Sequence, residues 1–359
     1  MMRVIKEMPL TLFGKEHEAA FALLRSEEKP VGKDPLVALN ALVDWSIFDK
    51  ELRQFKKSQN KQNTGRKPFN PLLMFKILIL QSLYNLSDEM MEYMIQDRIS
   101  FMRFLGLDGN GRIPDARTIW RFRNELSQSD LSERLFKCFN NYLDQLGFKA
   151  QQGQIIDASI VEVPRQRITC AEKETLAEGK TPEDWSPSKS SHKDTDATWT
   201  QKRKKNYYGY KNHIKIDSAN KIIRKYSVTT ASTHDSQVFD EILDAPTEGN
   251  NRVFADSAYK SQAHEELLKR KGLEGCIIHK ARRNTPLIET EKAENKEWSK
   301  TRSRVEHIFG MQLKKAGTLI VRAVNYTRVR GIIGLRNLSY NMTRFIWLMT
   351  SKGCTVSGG

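Results

Sequence analysis

The chain has 359 residues, with 59 Lys and Arg against 43 Asp and Glu, a formal charge of +16 at neutral pH. That length suggests about two or three domains, and the positive excess favours a polyanionic partner, because clustered cations bind phosphates and release counterions. The cysteines (Cys138, Cys170, Cys276 and Cys354) form no Cys-x-x-Cys pair, which argues against a zinc ribbon or a disulfide framework.

The amino end shows no apolar signal core, so secretion is not expected. Pro35 to Phe55 carries Leu39, Leu42, Val43, Ile47 and Phe48 at an approximately helical spacing. A basic connector, Gln59 to Pro68, leads to the most apolar run, Leu72 to Tyr84. That run contains Lys76 and Gln81 and falls short of the ~20 residues a membrane span needs, so it reads as a core helix. Ser87 suits an N-cap, with Asp88 and Glu89 behind it. Gly106, Gly109 and Gly111 mark a loop, and Asp115 caps a helix from Ala116 to Leu126. Leu131, Leu135, Phe139, Tyr142 and Leu146 form the stripe of another helix, stopped by Gly147. Residues 1–150 are expected to be an all-helical domain.

The pattern then changes to β. Gln154 to Val163 reads as a strand that Pro164 ends, and residues 165–206 are polar and basic without period, a mobile loop by composition. Tyr207 to Asp217 and Lys221 to Thr230 make a hairpin, Ser236 to Leu243 a helix, Arg252 to Ala255 a strand, and Ser261 to Lys271 a helix closed by Gly272. Cys276 to His279 is a short strand, and helices follow around Thr301 to Lys315 and from Val329 to Met349. Residues 151–350 are expected to be an α/β domain built on a mixed sheet.

Three acidic residues stand out. Asp157 sits inside an apolar strand, where Asp is depleted and an ionised carboxylate needs a positive partner; a salt bridge alone would also explain it. Asp256 follows a strand, where ligands of α/β sheets gather, although a turn or helix cap accounts for it equally. Glu306 is one helical turn from Arg302, which suits either a site or an ordinary i,i+4 pair. Carboxylate oxygens are the ligands that Mg2+ and Mn2+ prefer.

Ile155-Ile156-Asp157-Ala158, Phe254-Ala255-Asp256-Ser257-Ala258-Tyr259 and Arg302-Ser303-Arg304-Val305-Glu306-His307-Ile308-Phe309 together resemble the three catalytic blocks of bacterial insertion-sequence transposases of the DDE type, in the subgroup with a short second-Asp-to-Glu interval. Tyr207 to Ile214, Thr229 to Asp235 and Gly65 to Asp88 are similar to further blocks of that group, in the same order. The resemblance implies a ribonuclease-H-like catalytic domain, two Mg2+ or Mn2+ ions on Asp157, Asp256 and Glu306, and nicking at terminal inverted repeats followed by joining of 3′-hydroxyl ends to target DNA. It also implies a homodimer or larger assembly acting in the bacterial cytoplasm at the nucleoid. The group's Tyr-x2-Arg-x3-Glu-x6-Lys pattern is met at Arg302 and Glu306, but Ser299 stands for the Tyr and Leu313 for the Lys. Lys314 comes one residue late, about 100° round the helix, and is either the phosphate-binding lysine displaced or a solvated one. A metal-dependent nuclease without strand transfer, or a transposase-derived DNA-binding protein without catalysis, would carry many of the same features.

For DNA contact the residues are Arg117, Arg121 and Asn124, on one face of a helix in a helix-turn-helix-like setting, and Lys202, Lys204, Lys211, Arg302 and Lys314. His234 and Tyr259 are accessory positions. His234 either helps position DNA or is a structural His beside a capping Asp235.

Overall fold

The computed structural model describes residues 34–59, 67–108, 111–247, 249, 251–281, 286–316 and 320–351. It divides into two compact units, one of residues 1–81 and 86–122, the other of residues 82–85 and 123–359.

The first unit is helical: α1 (Pro35–Leu42), α2 (Asp49–Gln59), most of α3 (Pro71–Tyr84), α4 (Asp88–Asp97), α5 (Ile99–Leu105) and the start of α6 (Ala116–Gln128). Its core holds an aromatic cluster in which Trp45 meets Phe104 at 5.6 Å and Phe48 meets Phe75 at 4.9 Å between ring centroids. Lys76 stays in this apolar helix because its ammonium lies over Trp45 and donates to Asn40 at 2.8 Å. Ser87 and Asp115 are the caps the sequence indicates, accepting from Met90 N and Thr118 N.

The second unit centres on a sheet. Its strands are β1 (Gln154–Glu162), β2 (Thr198–Lys202), β3 (Lys205–Asp217), β4 (Ile223–Thr230), β5 (Arg252–Ala255) and β6 (Glu274–Ile277). The main order is β4–β3–β1–β5–β6, with the first three antiparallel and the β1–β5 and β5–β6 pairs parallel. This is the ribonuclease-H-like arrangement. Strand β2 adds a short hairpin to the leading end of β3.

One face of the sheet carries Val161, Tyr210 and Val228 against Val329 and Ile333 of α13 (Tyr326–Ser351). The other carries Ile156, Val253 and Ala255 against Phe239, Tyr259 and Leu268. Helix α13 also presents amides to the sheet. Asn337 exchanges hydrogen bonds of 3.0 and 3.2 Å with Asn212, and Asn341 takes the backbone N–H and C=O of Ile223, so these buried polar groups are satisfied. Helix α7 (Leu131–Gln145) packs on α13 through Phe139 and Phe345, 6.1 Å apart.

Two stretches differ from the sequence expectation. Residues 165–206 contain α8 (Cys170–Ala177), α9 (Pro187–Ser191) and β2. Thr169 and Glu172 form a reciprocal capping box on α8, and Ser186 with Pro187 opens α9. The helix expected to start near Thr301 starts at Glu289 and runs to Ala316 as α12, after α10 (Phe239–Ile242) and α11 (Gln262–Arg270). Its early turns have no apolar period and are fastened to His279 instead. Glu294 lies 2.8 Å from that ring, Trp298 stacks on it, and Asn295 bonds its backbone. Among the described residues no helix is long and apolar enough to cross a membrane.

Candidate active site

The parallel register pairs Ile155 of β1 with Phe254 of β5. Two residues further along each strand stand Asp157 and Asp256, brought level on one face by the period of 2. Helix α12 packs against both strands and covers that face. Val305 and Ile308 bury its apolar stripe, and Arg304 donates to the carbonyl of Ser218 at 2.6 Å. These anchors carry Arg302 over the aspartates.

Each aspartate divides its oxygens in the same way. Asp157 Oδ1 accepts from the N–H of Ala158 at 2.8 Å, and its Oδ2 lies 3.4 Å from Arg302 Nη2. Asp256 Oδ1 accepts from the N–H of Ser257 at 2.6 Å, capping the short 3-10 turn Ser257–Tyr259, and its Oδ2 lies 3.7 Å from the same Arg302 nitrogen. The salt bridge and the cap that the sequence allowed are both present, and they leave one oxygen of each carboxylate facing a shared cation.

The two carboxylates differ in environment. The Asp157 side chain is 17 % exposed and that of Asp256 is 45 % exposed. Burial pushes the Asp157 carboxyl above its ordinary range; Arg302 and the Ala158 N–H oppose this, and the nearby Asp256 adds to it. Lys202 also acts on Asp157 electrostatically, in the lowering direction.

Glu306 lies one turn beyond Arg302 on α12 and is exposed. Arg302 is turned to the aspartates. Among the described residues, no three His, Cys, Asp or Glu side chains are gathered closely enough to hold a metal ion. Arg302 thus joins Asp157 with Asp256, and Glu306 stands four positions further along the same helix.

The donor set nonetheless fits a hard divalent cation at the aspartates. Both groups are oxygen donors, they face one positive centre, and the guanidinium occupies the position a cation would take. Arg302 Nε is buried without a hydrogen-bond partner, so the guanidinium is incompletely satisfied where it stands.

Other expected residues fall elsewhere. Lys211 alternates onto the opposite face of the sheet from Asp157 and donates to Thr233 O at 2.6 Å, with Asp235 2.8 Å away. Its ammonium is thereby committed within the fold, and Asp235, seen in the sequence only as a cap, is its partner. His234 is exposed and caps the turn Asp235–Val238, accepting from Ser236 N. Tyr259 is buried with its hydroxyl unpartnered, and burial together with Asp235, Asp157 and Asp256 raises its pKa well above the ordinary phenol value. His213, beside Asp235 on that face, bonds Thr229 Oγ1 at 2.9 Å and is held neutral by burial, its pKa lowered to about 4.

Arg117 and Arg121 are exposed on α6, and Asn124 accepts from Arg328 Nε at 2.7 Å. Lys202 and Lys204 are exposed at the β2–β3 turn. The Lys314 side chain lies outside the described residues.

A ribonuclease-H-like sheet with paired aspartates on β1 and after β5 presents the oxygen ligands that metal-assisted phosphodiester chemistry uses. The Transposase DDE domain family model matches residues 149–342, and the Transposase domain (DUF772) model matches residues 25–125. The chain belongs to the DDE transposase family, whose members are DNA-cleaving and DNA-transferring enzymes that generally use divalent metals. Among solved structures it is similar to the piggyBac transposase in its synaptic complex with hairpin DNA, at 12 % identity over 90 % of this chain and 77 % of that one, with a TM-score of 0.44.

Proposed function

We propose that the protein is an insertion-sequence transposase that nicks DNA at terminal inverted repeats and joins the freed 3′-hydroxyl ends to target DNA. The observation that supports it most is the sharing of one cation by Asp157 and Asp256 on a ribonuclease-H-like sheet. Asp157, Asp256 and Glu306 would hold two Mg2+ or Mn2+ ions, which when bound supply positive charge to the attacking and leaving oxygens of an in-line displacement.

The chain's own side chains do the rest. Asp157 and Asp256 are held by backbone N–H groups, so their free oxygens are presented without reorganisation. Arg302 offsets part of the pair's charge before DNA arrives and can then turn its guanidinium to a phosphate, a bidentate contact suited to its planar fork. Glu306 shares its helix and its face, one turn on. Residues 1–150 are assigned to element-end recognition and to pairing two copies, with Arg117 and Arg121 toward DNA and Asn124 tied to Arg328. Two element ends require at least a dimer.

A joining assay tests the reading. With a pre-cut element end, a target plasmid and Mg2+, the protein is expected to give covalent end-to-target products. Cleavage of uncut ends without any joining would identify a nuclease instead.

A further inference from the structure

The hairpin that β2 adds to β3 has an unusual tip. Lys202 pairs with Lys205, so Arg203 and Lys204 alone make the turn. Both have positive φ, 50° and 63°, the signature of a type I′ turn that Asn-Gly would fill at least cost. Two long basic residues sit there instead, within a run of four consecutive exposed cations. Backbone strain kept against local preference marks a place where the side chains have a task.

The arm's base is built to aim it. Gly209 has φ +147°, and a Cβ there would lie 2.3 Å from the carbonyl oxygen of Val161. Only glycine lets β3 pass so close to β1 at the point where, on its other edge, its partner changes from β4 to β2. Trp199, 46 % exposed, packs on Tyr208 at 5.2 Å, and the Arg165 guanidinium lies 5.4 Å over its ring. Of the arm's cations, Lys202 acts on Asp157 electrostatically.

We propose that the β2–β3 arm is a clamp that grips the phosphates of a bound DNA strand without reading its sequence. Its tip supplies Arg203 and Lys204 to the backbone, Lys202 and Lys205 flank them, and the strained turn holds all four at one end of a stiff hairpin. The clamp rests on the reading of the protein as a transposase.

The test is the double variant R203N/K204G, which removes two charges and installs the residues the turn prefers. Binding to a fluorescent duplex taken from the DNA flanking the gene is measured by anisotropy against salt in Ca2+ buffer. Thermal melting is measured beside it. The clamp predicts a melting temperature no lower than wild type and a log–log salt slope shallower by about 2, since each phosphate contact contributes ~0.9. Unchanged affinity and slope would overturn it. Should the double variant melt lower, K202Q/K205Q, which leaves the turn residues alone, is judged by the same slope. Wild-type protein that binds no DNA would instead overturn the transposase reading itself.

Discussion

Arg302 places a guanidinium nitrogen 3.4 Å from Oδ2 of Asp157, across a gap between helix α12 and strand β1 spanning 145 positions of sequence. The contact compensates a carboxylate that burial disfavours, and it reaches Asp256 as well. It sets one positive charge between two carboxylates, an arrangement from which a divalent cation or a DNA phosphate can displace one partner.

Compensation of Asp157 is incomplete, and this has a stability consequence. Its folded pKa is raised above the unfolded value, chiefly by burial. A raised carboxyl contributes stability fully below the unfolded pKa, about 3.9, and loses it as pH rises through the folded value. Metal-free Asp157→Asn is therefore expected to melt a few degrees above wild type at pH 7 to 8, the gap closing below about pH 4. Mg2+ should raise the wild-type melting temperature and leave the variant unmoved. A variant less stable than wild type at pH 7 would show that Arg302 already outweighs the burial.

Removing the shared cation should act in the opposite sense. Arg302→Ala leaves two neighbouring carboxylates facing each other. Because Asp256 is nearly half exposed, the loss is expected at about 1–3 kcal/mol, less than for a fully buried pair. Urea unfolding with and without Mg2+ measures it, and the ion should recover more stability in this variant than in wild type. Arg302→Lys should recover the charge but not the joining rate, since a lysine cannot make the planar two-pronged phosphate contact. Full joining by the lysine variant would reduce Arg302 to a simple counter-charge.

Much of the site was legible because its residues sit against local preference. An Asp inside the Ile155-to-Val161 strand and an Asp directly after Val253-Phe254-Ala255 are visible by their cost alone. The antiparallel register puts Lys211, His213 and Lys215 on the face away from Asp157, a placement that follows from the pairing of β3 with β1 and not from the sequence of β3 alone. The helices in residues 165–206 left signals that composition obscured, the Thr169–Glu172 box and Ser186-Pro187. The Arg203–Lys204 turn left none, since neither residue advertises a left-handed backbone. The first half of α12 was invisible for another reason: its partner, His279, is distant in sequence, and its surface is polar all round.

Asp157, Asp256 and Glu306 are proposed to act together on DNA, and among the described residues Glu306 is the member without a contact to the other two. The direct measurement is Mg2+-dependent nicking of a duplex carrying one element end by Asp157→Asn, Asp256→Asn and Glu306→Gln, with binding of the same duplex followed in parallel. Each variant is expected to bind as wild type does, with nicking lost in all three. Undiminished nicking by Glu306→Gln would contradict that joint action and leave the chemistry to the aspartate pair that Arg302 holds.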